Sequence, residues 1–370
     1  MQNTKKNIEN RPAWLLPTPP RTDEPMAKGL RGWILRLMQG QSLTRIEAKD
    51  LLDELLNGEA TDTQISAALV ALAIKGETIE ELAGMAEAMR SHSVKIKTKH
   101  TDFIDTAGTG SSRVKTFNIS TAAAFVIAGA GLPVAKHGSR AATSLSGSAD
   151  VLTALGINVS ANPSVSEKCL DEIGICFMFA PLYHASTARV AAVRRELGVH
   201  TTFNLLGPLT NPANAPFQIL GVWNEALVAP VAKTLSTLGI KKAWVVHGLD
   251  GLDEITISKN TSVIEVTPDY MKYFEISPAE LGFELVGSEK LESLRGGNPP
   301  ANAQIIKDVL DGRRKDAARS LIVLNAAAAI FIGGKSDSLK SAVNLANRSL
   351  DSGEAAKKLS QLIELTNTEN

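Results

Sequence analysis

"DTAGTGSSRVKTFNIST", residues 105–121, is the stretch on which the fold turns. Before it, Phe103-Ile104 is apolar enough to end a short buried strand. After it, "FNISTAAAFVIAGAG" has the length and alanine content of a helix that stops at Gly129 or Gly131. Gly108 and Gly110, between the two, tolerate φ > 0 and let the backbone approach a ligand closely. A strand, a glycine turn and a helix start bring backbone N–H groups and a positive dipole end to one point, which suits phosphate. Thr109, Ser111, Ser112, Thr116 and Ser120 add hydroxyls. The same turn is common as a plain connection, so the reading depends on what surrounds it.

Outward from this stretch the pattern divides. From Met26 to about Val94, "LRGWILRLMQG", "TRIEAKDLLDELLNG", "TDTQISAALVALAIKG" and "TIEELAGMAEAMRSH" each show i, i+3, i+4 apolar spacing and stop at glycine or a polar turn. Thr44 and Thr61 stand where they cap the second and third helices. After Thr101 short β-rich runs alternate with helices: "FIDTA", "LPVAKHG", "ICFMF", "FQILGV", "KAWVVHG" and "TSVIEV". That alternation predicts an α/β fold whose sheet is mostly parallel, joined to a smaller all-helical domain. A helical insertion between Ser186 and Leu206, "TARVAAVRRELG", returns to the first lobe on this reading. The expected domains are 26–97 with 186–215 for the helical part, and 98–185 with 216–366 for the α/β part. Residues 1–25, with five prolines, read as a mobile tail.

The bulk numbers narrow the function. A chain of 370 residues holds about two domains. Lys plus Arg, 39, balance Asp plus Glu, 39, so no global field draws the chain to nucleic acid or to a membrane surface. No run approaches the ~18 to 20 apolar residues of a membrane span, and "STAAAFVIAGAGLPV" is broken by Gly and Pro. Cys169 and Cys176, the only cysteines, make no metal framework and fit a reduced, cytoplasmic setting.

Three more loops carry chemistry. In "AKHGSRAATSLSGSAD", Lys136 offers a point charge and Arg140 a bidentate fork among closely spaced hydroxyls, a set suited to a phosphorylated anion. In "VVHGLDGLDEITI", Asp250, Asp253 and Glu254 follow a strand; carboxylates beside phosphate loops hold Mg²⁺, which takes oxygen ligands. In "VRRELGVHTTFNLLGPLTNP", Arg194 and Arg195 precede what reads as a rigid Gly-Pro and Asn-Pro turn series, and one arginine could take a substrate carboxylate. His184 in "LYHAS" is a lone histidine. No Gly-X-Ser-X-Gly elbow and no His/Cys zinc cluster occurs.

Taken in order, Gly-Thr-Gly followed by Asn-x-Ser-Thr, Lys-His-Gly, Ser-Gly-Ser-Ala-Asp, Arg-Arg-Glu-Leu-Gly and Asp-Glu resemble the anthranilate phosphoribosyltransferases of tryptophan biosynthesis, over roughly Met26 to Ser349. The resemblance implies a small helical lobe and a larger α/β lobe with a cleft between them, and a homodimer paired through the helical lobe. It implies that phosphoribosyl pyrophosphate meets Gly108, Ser111, Ser112, Thr116, Asn118, Ile119, Ser120 and Thr121, then Lys136, His137, Gly138, Ser139, Arg140, Ala141, Ala142, Thr143 and Ser144, and Ser148. Mg²⁺ would lie on Ser120, Asp253 and Glu254. Anthranilate would meet Gly108, Ser139 and Arg194, with His137 and His184 along its path. No catalytic base stands out.

The chain departs from the family pattern where Ser111-Ser112 replace Gly-Asp, Ser139 replaces Asn and Ala185 replaces Pro. The first change removes an acidic contact near the metal, and the second removes an amide contact to the acceptor. Competing readings are a phosphoribosyltransferase for another aromatic amine, a nucleoside phosphorylase, and a nucleic-acid-binding relative. The balanced charge and the intact Asp253-Glu254 argue against the last.

Overall fold

The computed structural model describes residues 29–110, 112, 116–141, 145–287, 289 and 294–368. The expected tail, and Ser111, Ala142, Thr143 and Ser144, lie outside the described residues.

Four helices come first: α1 (Leu30–Met38), α2 (Arg45–Leu56), α3 (Asp62–Lys75) and α4 (Ile79–Ser91). Thr44 and Thr61 cap α2 and α3 as expected, each in a capping box with Glu47 or Gln64. Thr78 makes a third box with Glu81 on α4. That glutamate is fully buried. Its Oε1 accepts from Leu43 N at 2.8 Å, and its Oε2 from Thr78 N and Lys75 Nζ, both at 2.7 Å. A buried carboxylate is tolerated here because every oxygen has a donor.

The α/β part alternates as the sequence predicts: β1 (Ile104–Asp105), α5 (Ile119–Gly129), β2 (Val134–Gly138), α6 (Ser148–Ala154), α7 (Pro163–Ile173), β3 (Ile175–Phe179), α8 (Ala180–Tyr183), α9 (Ala188–Leu197), α10 (Phe203–Leu209), β4 (Phe217–Gly221), α11 (Val228–Thr237), β5 (Lys242–Gly248), β6 (Thr261–Val266) and β7 (Met271–Ile276). Four helices close the chain: α12 (Pro299–Leu310), α13 (Ala317–Ile332), α14 (Leu339–Asp351) and α15 (Glu354–Thr368). The sheet order is β3-β2-β1-β4-β5-β6-β7. It is parallel from β3 to β5 and antiparallel at β6 and β7. The chain leaves β1 to either side, with Ile104 paired to Val134 on β2 and to Phe217 on β4. That is a topological switch point, where α/β sheets hold ligands beyond the carboxyl ends of their strands.

Side-chain alternation divides the core. Trp244 and Val246 on β5 face one apolar cluster with α5 and the C-terminal helices. Ala243 and Val245 face a second, with α1–α4, α11 and residues of α9 and α10: Val190, Val193, Phe203, Leu205, Leu206 and Leu209. One sequence reading changes here. The Gly-Pro series is helical, because α10 runs through Gly207 and Pro208 before ending at Leu209. Gln218 Nε2 donates to Pro208 O at 2.6 Å, so the helix end gets a side-chain donor from the sheet.

Gly221 fixes the approach of β4 to the next ligand loop. A Cβ added there would stand 1.6 Å from Asp253 O, so no side chain fits without moving that backbone. Gly221→Ala is expected to destabilise the protein by about 1–3 kcal/mol through overpacking. Chemical unfolding checks this; an unchanged midpoint would contradict the close approach.

Candidate active site

A cavity of about 710 Å³ opens beyond the carboxyl ends of β1, β2 and β4. It gathers Gly108, Ser112, Thr116, Asn118, Ile119, Ser120 and Thr121 from the opening stretch. From the second loop it takes Lys136, His137, Gly138, Ser139, Arg140, Ala141 and Ser148, and from farther along the chain His184, Arg194, Asp253 and Glu254. Every described residue that the resemblance singles out thus lines one space. Asp250 does not. Its carboxylate accepts from Leu252 N at 3.2 Å and Thr256 Oγ1 at 2.5 Å, and also from Ser258 Oγ, so it builds its own turn.

The opening loop is sewn to β4. Thr109 N and Thr109 Oγ1 donate to Gly221 O at 2.9 and 3.1 Å, and a Cβ on Gly108 would lie 3.0 Å from that oxygen. Asn118 leaves the start of α5 uncapped by its own side chain. It is spent on the neighbouring loop: Nδ2 donates to Ser146 O at 3.1 Å, and Oδ1 accepts from Asn302 Nδ2 at 3.0 Å. Glu254 takes up part of that helix end, Oε1 accepting from Ser120 N at 3.2 Å. A carboxylate at a helix N-terminus gains from the dipole.

Lys136 is the charge beneath this corner. It is 4% exposed and donates from Nζ to Thr106 O and Thr106 Oγ1, each at 3.1 Å, and to Ser120 Oγ at 3.4 Å. Burial pushes its pKa down, opposed by the charges of Asp105 and Glu254. Glu254 moves the other way: burial, then the neighbouring Asp253 charge, push it up to about 8, while Lys136 opposes. Two adjacent carboxylates and a serine at a crowded negative corner form an oxygen donor set that a hard divalent cation relieves. Among the described residues, no group of three or more His, Cys, Asp and Glu side chains could hold a metal by itself. The residues present therefore fit a cation that completes its shell with oxygens of a bound substrate. Asn325 of α13 holds the turn in place, Nδ2 donating to Ile255 O at 2.8 Å and Oδ1 accepting from Ile255 N at 3.0 Å.

Arg140 lies in the cavity wall but is paired. Nη1 donates to Asp150 Oδ1 at 2.9 Å, and Asp150 Oδ2 accepts from Ala141 N and Gly147 N at 2.9 and 3.0 Å. Across the cavity Arg194 Nε donates to Thr201 Oγ1 at 2.9 Å and Nη2 to Asn204 Oδ1 at 3.1 Å, with its guanidinium carbon 5.3 Å from the Phe203 ring centre. These contacts aim a half-buried cation at the space. His137 and His184 fill the wall between the two sides, their ring centres 5.1 Å apart. Burial holds the imidazoles neutral, with His137 pushed down to about 3 and His184 to about 4.

Sequence reasoning missed Met89, Phe203, Asn204 and Gly207, which also line the cavity. Asn204 sits inside the quoted "FNLLGP" and was legible as a motif, but its bond to Arg194 is a tertiary fact. Met89, on α4, had no local signal.

Comparisons with known proteins agree with this construction. A family model described as glycosyl transferase family, a/b domain, matches residues 100–356, and its helical bundle counterpart matches 31–93. Anthranilate phosphoribosyltransferase of Methanobrevibacter smithii is 47% identical over 335 residues, 90% of this chain and 98% of its own. The crystal structure of the Thermus thermophilus enzyme superposes with a TM-score of 0.84 at 38% identity, covering 90% of this chain and 98% of its own. The Saccharomyces cerevisiae enzyme, in complex with phosphoribosyl pyrophosphate and Mg, gives 0.83 at 29%, covering 91% and 97%. With the helical and α/β parts both matched and identity sustained along nine-tenths of its length, the chain belongs to the anthranilate phosphoribosyltransferase family.

Proposed function

We propose that the cavity transfers the phosphoribosyl group of phosphoribosyl pyrophosphate to the amine of anthranilate, giving N-(5-phosphoribosyl)anthranilate and pyrophosphate. The observation that carries this reading is the pairing of two unlike corners in one space. One corner has the α5 start, Lys136, Ser120, Asp253 and Glu254; the other has Arg194 held on Thr201 and Asn204. The first suits a polyphosphate. The second suits a carboxylate.

In this reading Gly108, Ser112, Thr116 and the run Asn118–Thr121 bind the donor with the loop from Lys136 to Ser144, and Ser148. Bound Mg²⁺ supplies charge neutralisation for the pyrophosphate oxygens, and Ser120, Asp253 and Glu254 hold it. Lys136 keeps a positive charge under that seat through Thr106 and Ser120, so stabilisation of the departing oxygens is built in before substrate arrives. Arg194 orients the acceptor by its carboxylate, with Gly108, Ser139, His137 and His184 shaping its path. Holding both substrates at fixed separation supplies much of the rate, because the entropy of bringing them together is lost on binding.

The helical layer supports a homodimer. Leu35 and Met38 on α1 and Val70 and Ile74 on α3 lie on helices that pack together, and Met38 is 62% and Ile74 82% exposed. Apolar exposure of this kind on two paired helices fits a second copy. The cytoplasm is the proposed setting: Cys169 and Cys176 are buried and no disulfide joins them, and no described helix is long and apolar enough to cross a membrane.

Loss of anthranilate fluorescence on adding phosphoribosyl pyrophosphate and Mg²⁺ tests the reaction directly. In that assay Asp253→Asn with Glu254→Gln should abolish Mg²⁺-dependent turnover, and because Glu254 also accepts from Ser120 N and acts on buried Lys136, a lowered melting temperature is expected with it. Normal activity at limiting Mg²⁺ would place the metal elsewhere.

Ser139→Asn adds an amide where the acceptor passes. One recovered hydrogen bond is worth about 0.5–1.5 kcal/mol, so the acceptor KM should fall roughly two- to tenfold with donor KM unchanged. If the parent consumes another aromatic amine and only the variant consumes anthranilate, the phosphoribosyl transfer stands and the acceptor assignment is wrong.

Ile74→Glu should convert a dimer to a monomer in light scattering. A parent that is already monomeric, or a variant that stays dimeric, removes α3 from the interface.

A further inference from the structure

The amine of an aromatic acceptor must lose a proton once its nitrogen bonds to C1, and the cavity wall holds a nitrogen suited to take it. His137 follows Lys136 on β2 and is 3% exposed, and its ring lines the cavity. Nδ1 lies 3.1 Å from Gly207 O, an oxygen that can only accept, so Nδ1 carries the hydrogen and Nε2 keeps its lone pair. Nε2 is buried and has no hydrogen-bond partner among the described residues. A buried polar atom left open in this way needs a reason, and a ligand group in the cavity supplies one. Gly207 belongs to α10, the helix that also carries Asn204 and through it Arg194. The ring is therefore tied to the helix that holds Asn204, while its own strand carries Lys136.

We propose that His137 is a catalytic residue, its Nε2 accepting the amine proton as the new bond forms. This rests on the reading that anthranilate enters along the His137 and Arg194 wall. The nitrogen lone pair forms the N–C1 bond while the C1–O bond breaks and its electron pair leaves with pyrophosphate. The proton passes from nitrogen to Nε2, giving an imidazolium that returns it to solvent after product leaves. In a displacement the leaving group lies on the face of C1 opposite the amine, so pyrophosphate is badly placed to take this proton. The acceptor's own carboxylate is engaged by Arg194.

Ring chemistry agrees. Burial, His184 and Lys136 hold the imidazole neutral, which keeps the lone pair available at neutral pH. A weak base suffices, because an arylammonium gives up its proton far more readily than an alkylammonium. His184 is a poorer candidate: the backbone of Thr210 and of Met89 interacts with its ring, so its nitrogens are less open to a ligand than Nε2 of His137.

The test uses full-length protein with His137→Asn, which retains a donor for Gly207 O but loses the base, and His137→Gln, which places an amide oxygen near Nε2 without basicity. Anthranilate and phosphoribosyl pyrophosphate affinities are measured by calorimetry, and turnover by fluorescence. Expected are affinities within about threefold of the parent and a kcat lowered on the order of 100-fold in both variants. Added imidazole should recover part of the rate in His137→Ala and none in His137→Gln. A kcat within a few fold of the parent in either variant overturns the proposal, and points to the carboxylate or to solvent as the acceptor. Lost anthranilate affinity with kcat intact at saturation also overturns it, leaving His137 a wall residue. A parent that binds the donor but never consumes anthranilate marks instead the failure of the underlying reading.

Discussion

A positive charge buried under the carboxyl edge of the sheet governs the rest of the site. Lys136 arrives there because β2 is buried among parallel neighbours and the lysine is its third residue. An isolated ammonium at 4% exposure would be very costly. Its environment offsets that cost from two directions: Thr106 O, Thr106 Oγ1 and Ser120 Oγ accept hydrogen bonds from it, while the carboxyl groups of Asp105 and Glu254 push its pKa back up against burial. The same groups then do other things. Asp105 accepts from Ala107 N at 3.0 Å and His137 N at 3.2 Å, so it shapes the exit of β1 and the end of β2 together. Glu254 satisfies the start of α5. Satisfying one lysine thereby sets the relative positions of three loops.

Close backbone approach sets the remaining distances. Gly221 lets Asp253 O come where a Cβ would stand, and Gly221 O in turn receives both donors of Thr109. The phosphate-type loop and the carboxylate turn are therefore referenced to the same residue at the end of β4. Neither loop needs a long, rigid connection of its own. A glycine and three hydrogen-bonding atoms hold them in register.

Much of this was legible along the chain, and the reason is locality. Capping boxes at Thr44 and Thr61, the α5 start after a glycine turn, and six of the strands each follow from a few consecutive residues. The missed strand β7 shows the limit. "MKYFEI" has only one fully buried residue, Ile276, so it lacks the apolar run that marked the others. Pairing with β6 makes it a strand. Asp250 looked like a third metal carboxylate because it shares a loop with Asp253 and Glu254. Yet its oxygens go to Thr256 and Ser258, partners a reader of the loop could not rank against an absent ligand. Arg140 follows the same logic: its fork is turned to Asp150, and a linear reading saw only a cation among hydroxyls. Met89 and Asn325 reach the site from helices with no chemical motif at all, since their roles come from packing.

The Arg194 side of the cavity obeys a different constraint. Arg194 hangs from α10 through Asn204, and α10 is a seven-residue helix with proline inside it, too short to hold itself. What holds it is the sheet and α4. His137 Nδ1 binds Gly207 O at 3.1 Å, Gln218 Nε2 binds Pro208 O at 2.6 Å, and Arg90 Nε binds Leu209 O at 2.9 Å. Just beyond, Asn211 Nδ2 reaches Asp105 Oδ2 at 2.7 Å and Ala135 O at 2.9 Å. Three consecutive carbonyls at a helix end thus accept from side chains rooted in other elements, and Gly207 O also takes Thr210 N and Thr210 Oγ1. Swinging α10 away would strand those buried groups, each at a cost of about 1–3 kcal/mol. Arg194 consequently keeps its distance from the loop of residues 105–121 through Asp105 and His137, the two residues that also frame Lys136. The Lys136 and Arg194 corners are one polar network, which is why a helix so short can position a charge.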